Sequence, residues 1–248
     1  MITEDRYKYI LKKIEENGSV TVTELTDELM TSESTIRRDL IALDKTGSLK
    51  KVHGGATAIS ESLFLEHDMS KKQTLFSKEK TEIAKYAAST IKSGDFIYID
   101  AGTTTERMTD FITQKDITVV TNGLSHARKL AAAGIKVYVP AGKYKSVTEA
   151  ITGTFAAESL SRYNFTKCYM GANGISLKGE ISTPDIEEAS VKSAAVKKSY
   201  VTFILADHSK FDVETAITFA ALDKACIITD KVINDIYRKK CILKEVMK

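Results

Sequence analysis

Residues 32–40 read Ser-Glu-Ser-Thr-Ile-Arg-Arg-Asp-Leu, and residues 47–55 read Gly-Ser-Leu-Lys-Lys-Val-His-Gly-Gly. Ile36, Leu40 and Leu43 recur at helical spacing, which predicts a helix with one buried apolar stripe. Arg37 and Arg38 then lie on or beside the exposed face of that helix. Because adjacent arginines on a short exposed face suit phosphate oxygens and guanine edges, this stretch predicts a DNA-recognition helix. The alternative is an ordinary solvated helix face.

A second helix is predicted just upstream, because Val22, Leu25 and Leu29 form another short apolar stripe. Thr31 and Ser32 supply the turn and the N-cap of the helix that follows. Helix, tight turn and helix make the helix-turn-helix arrangement, and the lysine-bearing stretch after it predicts a basic two-stranded wing. The residues predicted to contact DNA are Ser32, Glu33, Ser34, Thr35, Arg37, Arg38, Lys51 and His53.

The composition limits the fold classes and the cellular locations that are expected for the chain. A chain of 248 residues that is 43% hydrophobic can bury one large core and a small one. No apolar run approaches the length of a membrane span, and the first residues are charged and unlike a signal peptide. These features predict a cytoplasmic protein that does not enter a membrane.

The charge of the N-terminal segment argues for an oligomer. Residues 1–58 hold nine Lys and Arg against ten Asp and Glu, a net charge of −1. The basic residues are concentrated in the third helix and the wing, whereas the acidic residues lie mostly in the first two helices. Since a neutral module gains little non-specific affinity, tight operator binding is expected to need a homodimer or a homotetramer.

The cysteines predict neither a metal site nor a disulfide framework. Cys168, Cys226 and Cys241 are an odd number without metal-ligand spacing. Cys168 and Cys226 lie in apolar, strand-like runs, so both are predicted to be buried free thiols. No cofactor is predicted.

The periodicity predicts a DNA-binding domain at residues 1–58, a linker at 59–76 and an effector and oligomerisation domain at 77–248. Short apolar runs alternate with helical stretches in the last of these. Predicted strands include residues 96–99, 117–120, 137–139, 168–170, 201–205 and 226–228, and predicted helices include 79–91, 106–112, 125–133, 155–160 and 187–197. This alternation is typical of an α/β fold with an open, mostly parallel sheet covered on both faces.

Ligands of such sheets bind where loops leave the carboxyl ends of the strands, and the loop at residues 100–105 is the first candidate. It reads Asp-Ala-Gly-Thr-Thr-Thr between a strand and a helix. Gly102 is expected to allow a tight turn, and the helix N-terminus and three threonine hydroxyls supply donors for an anion. The sequence favours a phosphate here, although a Gly-Thr-Thr turn is also a common helix cap.

Three more loops follow predicted strands, and we expect all four to share one rim of the sheet. They are Thr121-Asn122-Gly123, Gly171-Ala172-Asn173-Gly174 and Ala206-Asp207-His208-Ser209-Lys210-Phe211. Lysine suits a phosphate as a point charge, and aspartate accepts hydrogen bonds from sugar hydroxyls. Taken singly, the first two are also typical of plain turns, and Asp207 with Lys210 of a surface ion pair.

The N-terminal motif resembles the DeoR family of bacterial sugar repressors. That family's signature is S-x-x-T-[IV]-R-R-D-L followed by a glycine and a basic strand ending in H-G-G-A, which this chain matches at 32–40, Gly47 and 53–56. Family motifs of the effector half recur in order at Asp100 to Thr104, Thr121-Asn122, Gly171 to Ile175, Glu188-Ala189 with Lys192, and Asp207 to Phe211. The resemblance therefore spans nearly the whole chain.

The resemblance implies a fold similar to ribose-5-phosphate isomerase and glucosamine-6-phosphate deaminase, with a sugar phosphate as effector. It implies that residues 102–105 and Lys210 hold the phosphate, with other polar side chains near the hydroxyls. The effector-binding residues so predicted are Asp100, Gly102, Thr103, Thr104, Thr105, Asn122, Gly123, Lys145, Asn173, Gly174, Glu188, Lys192, Asp207 and Lys210. One departure is Ala141-Gly142, where the family commonly has Gly-Gly; downstream of it Lys143, Lys145 and Thr148 are further candidates.

Within the family, the stretches that are most similar to fructose-operon repressors, whose inducer is fructose 1-phosphate, are Glu33 to Arg38, Asp100 to Thr104, Thr121 to Gly123 and Ser182 to Asp185. Repressors of lactose and tagatose operons share the same construction and remain alternatives. Two other classes of protein are alternatives: a sugar-phosphate isomerase or deaminase with a DNA-binding appendage, and a structural DNA binder. No spacing singles out a general base among Asp100, Glu188, Asp207 and His208, so catalysis is not predicted. The elaborate α/β domain argues against a purely structural DNA binder.

Overall fold

The computed structural model describes residues 2–46, 48–57, 73–232 and 234–247. The chain forms two compact units, Met1–Ser62 and Leu63–Lys248, and each is treated by itself below. Most of the predicted linker, up to residue 72, lies outside the described residues.

The first unit is a winged helix-turn-helix, as the sequence predicts. Its elements are α1 (Thr3–Asn17), β1 (Ser19–Thr21), α2 (Val22–Leu29), α3 (Glu33–Lys45), β2 (Lys50–Val52) and β3 (Gly55–Thr57). The three strands form an antiparallel sheet in the order β1-β3-β2, and the β2–β3 hairpin is the wing. The predicted apolar stripe of α3 is confirmed, since Ile36, Leu40 and Leu43 are all buried.

Polar contacts fix the helices of this unit. The Ser32 hydroxyl accepts a hydrogen bond from the Thr35 N–H at 3.2 Å, which confirms Ser32 as the N-cap of α3. The buried Asp39 on α3 accepts two hydrogen bonds from the Arg6 guanidinium on α1, at 2.7 and 3.1 Å. A bidentate pair of this kind sets both the distance and the rotation of α3 relative to α1. The orientation of the exposed face of α3 is therefore fixed from its buried side.

The second unit is an α/β domain. Its helices are α4 (Ser77–Ser89), α5 (Thr103–Thr109), α6 (Leu124–Ala132), α7 (Thr154–Leu160), α8 (Ile186–Lys197) and α9 (Ile236–Lys240). Its strands are β4 (Phe96–Ile99), β5 (Thr118–Thr121), β6 (Lys136–Tyr138), β7 (Lys143–Lys145), β8 (Ala150–Thr152), β9 (Phe165–Gly171), β10 (Gly174–Ile175), β11 (Glu180–Thr183), β12 (Ser199–Leu205), β13 (Ile217–Ala221), β14 (Cys226–Thr229) and β15 (Ile242–Glu245).

Seven strands form one parallel sheet in the order β15-β14-β12-β9-β4-β5-β6, which confirms the predicted fold class. All six predicted strands and all five predicted helices are present, and their ends agree with the prediction to within three residues. The β7–β8 hairpin, the antiparallel sheet β10-β11-β13, and α9 with β15 were not predicted. Their runs are two to five residues long, too short to show a period.

Both faces of the parallel sheet are covered. On one face Ile97 and Ile99 of β4 pack in a cluster with Ile83 of α4, Met108 of α5 and Leu130 of α6. On the other face a second cluster joins β4, β9 and β12 to α7, α8 and the antiparallel sheet. Strands buried on both sides need apolar residues at successive positions, which explains the continuous apolar runs in the sequence.

The three cysteines are free thiols. Burial raises the pKa of the Cys168 thiol to about 11, so it stays protonated and unreactive near neutral pH. Cys226 is only partly buried, and the prediction that it lies in the core was wrong, because it begins β14 beside the edge strand β15. Among the described residues no helix combines the length and the apolar character that crossing a membrane requires.

We predict that Ile36→Ala destabilises the first unit by about 2–5 kcal/mol, because the side chain is fully buried and its truncation leaves a cavity. Ile41→Ala on the same helix is the matched control, since Ile41 is 42% exposed and its loss changes stability by less than about 0.5 kcal/mol. Hydrogen–deuterium exchange of α3 in the intact chain measures both effects. Equal protection of α3 in the two variants would contradict the packing described above.

Candidate functional site

The exposed face of α3 carries the residues predicted to contact DNA. Ser34, Arg37 and Arg38 are exposed, opposite the buried stripe of the helix. Arg37 donates a hydrogen bond to Glu33 one turn earlier, at 2.8 Å, so its guanidinium is already aligned along the helix. This i,i+4 pair is exposed and weak, so a phosphate can displace the Glu33 carboxylate from Arg37.

The remaining predicted DNA contacts have structural roles as well. The Ser32 hydroxyl lies 2.9 Å from the hydroxyls of both Ser34 and Thr35, which ties the first turn of α3 together. Lys51 in β2 is exposed, and its backbone N–H donates to Asp44 of α3 at 2.8 Å. His53 is exposed at the wing tip, next to Gly54 with a φ of 82°. The Lys51–Asp44 bond fixes the wing to the C-terminal half of α3.

The second unit contains a cleft at the carboxyl ends of its central strands. The predicted loops follow β4, β5, β9 and β12, and three of these loops contribute to the cleft. The lining residues are Lys80, Ala101, Gly102, Thr103, Thr104, Thr105, Thr148, Gly171, Ala172, Asn173, Glu188, Lys192, Leu205, Ala206, Asp207 and Lys210. Nine of the fourteen predicted effector residues are therefore brought together in one cleft.

Backbone donors form one wall of the cleft. Thr103, Thr104 and Thr105 are the first residues of α5, and no side chain caps this helix. The first N–H groups of a helix have no acceptor within the helix, so these three are available to an anion. The expectation that Gly102 makes a tight turn was wrong, because its φ of 169° is extended backbone. Instead, a Cβ at Gly102 would approach the Thr105 hydroxyl to 3.2 Å.

A buried ion pair forms the floor. Lys192 of α8 donates to Asp100, which follows β4, and also to the Gly171 carbonyl at the end of β9, at 3.2 Å. The same Asp100 oxygen accepts the Gly171 N–H at 3.1 Å. Burial raises the pKa of Asp100, while Lys192 and the Gly171 N–H oppose that rise. Asp100 itself is 1% exposed and lies beneath the lining residues, so it supports the cleft from below.

Glu188 of α8 lies at another wall and is held by neighbours. Its carboxylate accepts hydrogen bonds from Thr148 at 2.7 Å and from Lys145 at 3.2 Å. Lys145 also donates to Asp185, the N-cap of α8, at 2.9 Å. Burial alone would raise the pKa of Asp185, but the bonds from Lys145 and from the Glu188 N–H lower it. Lys145 therefore positions Glu188 and does not itself line the cleft.

The loop after β12 supplies Asp207 and Lys210. One oxygen of the buried Asp207 accepts from the Ser209 N–H at 3.1 Å and from the Ser209 hydroxyl at 2.5 Å. Its second oxygen has no partner among the described residues. The Lys210 ammonium likewise makes no ion pair in the described part of the chain, so the loop offers one acceptor and one cation to a ligand.

Other predicted residues support the cleft without lining it. The Asn122 side chain accepts the Ala101 N–H at 2.8 Å and donates to the Ile151 carbonyl at 3.1 Å, so it positions the loop after β4. Gly123 lies against His126, and Gly174 pairs with Ser182 in the antiparallel sheet. Lys143, a further candidate, pairs with Glu187 on the surface at 3.2 Å.

Sequence reasoning missed Lys80 and His126. Lys80 of α4 lines the cleft and is 5% exposed, but its position on a helix far upstream of the predicted loops gave no signal. The buried His126 ring lies 3.2 Å from the Thr105 hydroxyl. Because that hydroxyl already donates to the Gly102 carbonyl, it is placed to accept a hydrogen bond from His126 Nε2–H. A histidine three residues after Gly123 was the available clue.

Comparison with protein families gives two matches that together cover most of the chain. Residues 6–62 match the DeoR-like helix-turn-helix domain, and residues 76–231 match the DeoR C terminal sensor domain. The uncharacterized HTH-type transcriptional regulator FruR of Bacillus subtilis (strain 168) is 40% identical, covering 99% of each chain. The HTH-type transcriptional regulator IolR of the same organism is 32% identical over 97% of this chain and 95% of the relative.

Two further likenesses complete the comparison. The lactose phosphotransferase system repressor of Staphylococcus epidermidis (strain ATCC 12228 / FDA PCI 1200) is 33% identical over 96% of this chain and 95% of the relative. Among solved structures, ribose 5-phosphate isomerase A of Methanocaldococcus jannaschii matches with a TM-score of 0.42 and 13% identity, covering 54% of each chain. The chain thus spans about half the length of that isomerase.

We predict that His126 makes the stability of the second unit depend on pH. Burial, with repulsion from Lys129, lowers the pKa of His126 from 6.5 to about 3. Below pH 6.5 the unfolded chain binds a proton that the folded chain excludes, so the stability present above this pH is lost as the pH falls. The loss is about 1.4 kcal/mol per pH unit.

The measurement is chemical denaturation at pH 7.5 and 5.5 of the wild type and His126→Gln. Between these two pH values the wild type should lose roughly 1.4 kcal/mol more than the variant, in which no group titrates at position 126. Carboxylates contribute equally to both proteins. An identical pH dependence in the two proteins would show that His126 is not held neutral by the fold.

Proposed function

This chain belongs to the DeoR family of DNA-binding transcriptional regulators, and from that membership we propose that it represses a sugar-utilisation operon and is released from DNA by a sugar phosphate. Like these relatives, it is a regulator and not an enzyme. The proposal for its effector rests on one observation, the convergence of backbone donors, Lys210, Asp207, Asn173 and Glu188 in a single cleft.

A phosphate fits the wall formed by the start of α5. The N–H groups of residues 103–105 point along the helix axis at its positive end, and the hydroxyls of Thr103 and Thr104 add donors. Lys210 supplies a cation on the same cleft. Glu106 in the first turn of α5 is paired with Lys129 at 3.3 Å, so the backbone donors and the Lys210 cation at this wall favour a dianionic group over a neutral one.

Other lining residues of the cleft suit sugar hydroxyls. The free oxygen of Asp207 accepts a hydroxyl proton, and Glu188 offers a carboxylate held by Thr148 and Lys145. The Asn173 carbonyl oxygen accepts from Thr183 at 3.2 Å, which leaves its amide N–H groups for a ligand. A cleft that offers both hydroxyl acceptors and phosphate donors suits a phosphorylated sugar.

Fructose 1-phosphate is our proposed effector, and the operon is one for fructose. This choice rests on the Asp100 to Thr104, Thr121 to Gly123 and 182–185 motifs and on the 40% identity to the Bacillus regulator. The 33% identity to the lactose phosphotransferase system repressor keeps other phosphorylated sugars as the alternatives to be tested.

We further propose that the protein binds its operator as a homodimer or homotetramer in the cytoplasm, where the DNA is. The support is the charge balance of the N-terminal segment, which is −1 over residues 1–58 and gives one copy little non-specific affinity. Two recognition helices in one assembly contact two half-sites, which raises affinity without a larger interface on each copy.

The DNA contact is tested by replacing Arg37 and Arg38 together with alanine. Each arginine that reads a guanine contributes roughly 1–3 kcal/mol, so the double variant should lose operator binding by about 100-fold or more. Lys12→Ala removes an equally exposed cation from α1 and serves as the control. Fluorescence anisotropy with operator DNA measures both, and an unchanged affinity in the double variant would refute the assigned face.

The effector site is tested with Thr104→Asp and Lys210→Ala. A carboxylate at the start of α5 repels phosphate, and the second change removes the cation, so both variants should bind operator but ignore the effector. A thermal-shift panel of phosphorylated sugars identifies the effector first. Ligand at 100 times its dissociation constant stabilises the folded wild type by roughly 2.7 kcal/mol.

The control for this experiment is unphosphorylated fructose, which should shift neither the melting temperature nor operator binding. A second control is Lys143→Ala, because Lys143 is exposed, pairs with Glu187 and lies outside the cleft. If Thr104→Asp and Lys210→Ala respond to fructose 1-phosphate like the wild type, the phosphate does not bind at the start of α5.

A further inference from the structure

The loop after β12 is fixed at its beginning by Asp230. The His208 backbone N–H donates to one oxygen of this buried carboxylate at 2.7 Å, and His208 Nδ1 lies 2.7 Å from the other oxygen. A short turn follows, in which the Lys210 N–H donates to the Asp207 carbonyl at 3.1 Å. Asp207 and Lys210, the two residues of this loop that line the cleft, therefore have one fixed contact beside them.

A second fixed contact comes directly after Lys210, from Tyr237 of α9. The Tyr237 side chain is fully buried, and its ring packs edge-on against the Phe211 ring, with the centroids 4.9 Å apart. Its hydroxyl accepts the Asp212 N–H at 3.0 Å and lies 2.7 Å from the Asp212 carboxylate. Burial raises the pKa of Tyr237, and the bond to the Asp212 carboxylate adds to that rise, so the hydroxyl keeps its proton at neutral pH and can donate it.

The backbone at Asp212 depends on this contact. Its φ of 59° lies in the left-handed region, which residues other than glycine seldom adopt, although aspartate does so more often than most. Since the N–H that Tyr237 accepts belongs to Asp212, the hydroxyl holds the bend at which the chain turns away from Lys210. Without the hydroxyl, the N–H and the carboxylate of Asp212 would each lose a hydrogen-bond partner.

The same hydroxyl contacts the strand that follows Asn173. The Ile175 carbonyl of β10 lies 3.0 Å from the Tyr237 hydroxyl, and Ile175 pairs with Phe211 in an isolated parallel bridge. Asn173, two residues earlier, lines the cleft. Tyr237 thus lies where two of the loops that line the cleft meet, although it is not itself a lining residue.

We propose that Tyr237 is a positioning residue of the effector site: its hydroxyl fixes the loop that carries Asp207 and Lys210 against β10, so that both side chains are in place before the ligand binds. A ligand then binds without first ordering this loop, and its affinity is higher by the free energy that the ordering would cost. The inference rests on the proposed function, because it takes a sugar phosphate as the ligand of the cleft.

The role is tested with Tyr237→Phe, which removes the hydroxyl and keeps the ring against Phe211. Affinity for fructose 1-phosphate, measured by isothermal titration with the full chain, should fall by about tenfold, the effect of one lost hydrogen bond. Tyr169→Phe is the matched control, since Tyr169 is equally buried and its hydroxyl lies 2.8 Å from the Thr90 hydroxyl, in the cluster on the other face of the sheet.

The control variant should lose a similar amount of stability in thermal denaturation, because it also loses one buried hydrogen bond, but it should keep the wild-type affinity. Wild-type affinity in Tyr237→Phe would overturn the proposal. An equal loss of affinity in Tyr237→Phe and Tyr169→Phe would also overturn it, because the loss would then follow from stability alone.

A double-mutant cycle separates positioning from a general structural role. Asp207→Asn removes a carboxylate of the anchored loop, whereas Thr148→Ala removes a cleft hydroxyl from the β7–β8 hairpin. Adding Tyr237→Phe to Asp207→Asn should lower the affinity by about threefold or less, because one of the positioned contacts is already lost. Adding it to Thr148→Ala should lower the affinity by about tenfold, and equal losses in the two backgrounds would show that the hydroxyl does not act through the loop.

Hydrogen–deuterium exchange measures the positioning without any ligand. In Tyr237→Phe the amides of residues 208–212 should exchange faster than in the wild type, whereas those of residues 101–105 should not change. Unchanged exchange of residues 208–212 would contradict the anchoring.

The pattern of binding results separates this inference from the proposed function. If no sugar phosphate in the panel binds the wild type, both fail together. If fructose 1-phosphate or another member of the panel binds the wild type, and Tyr237→Phe binds that compound equally well, only the inference fails.

Discussion

The buried ion pair between Asp100 and Lys192 is the interaction on which the sensor cleft depends. It joins three separate parts of the chain, since Asp100 follows β4, Lys192 lies on α8, and both bond to Gly171 at the end of β9. Removing either partner would leave an uncompensated charge in a dry environment, which is far more costly than losing an exposed pair. The loop after β4 can therefore keep its threonines pointed into the cleft only while α8 stays docked.

The DNA-binding unit also contains an ion pair with a buried carboxylate, which joins two of its helices. Asp39 is buried under α3 and is held by Arg6 of α1, so the orientation of Arg37 and Arg38 on the far side follows from a contact that DNA never reaches. In both units a buried carboxylate with a cationic partner orients an exposed polar surface. The hydrophobic clusters supply most of the folding free energy, whereas these pairs select one arrangement of the elements.

The helices and strands that were predicted correctly have one property in common: their burial leaves a pattern of apolar residues in the sequence. Strands buried on both faces, such as Phe96–Ile99, are continuous apolar runs, and α3 shows its stripe at Ile36, Leu40 and Leu43, so period and composition identify them. Loops at the carboxyl ends of adjacent parallel strands must meet, which made most of the cleft predictable. The presence of Lys80 in the cleft was not predictable, because α4 reaches the cleft only through tertiary packing. Asn122 and Lys145 were assigned to the ligand, but they hold other cleft residues, and residue type alone does not distinguish these roles.

The side chains that face the cleft come from loops and helices and not from the interiors of strands. We expect substitution of Thr148 or Asn173 to change the polar groups that the cleft offers while the apolar layers on both faces of the sheet stay intact. New chemical preferences are thus accessible through single mutations that the fold tolerates. We therefore expect a duplicated copy of such a domain to change its ligand preference through single mutations whose products still fold and are open to natural selection.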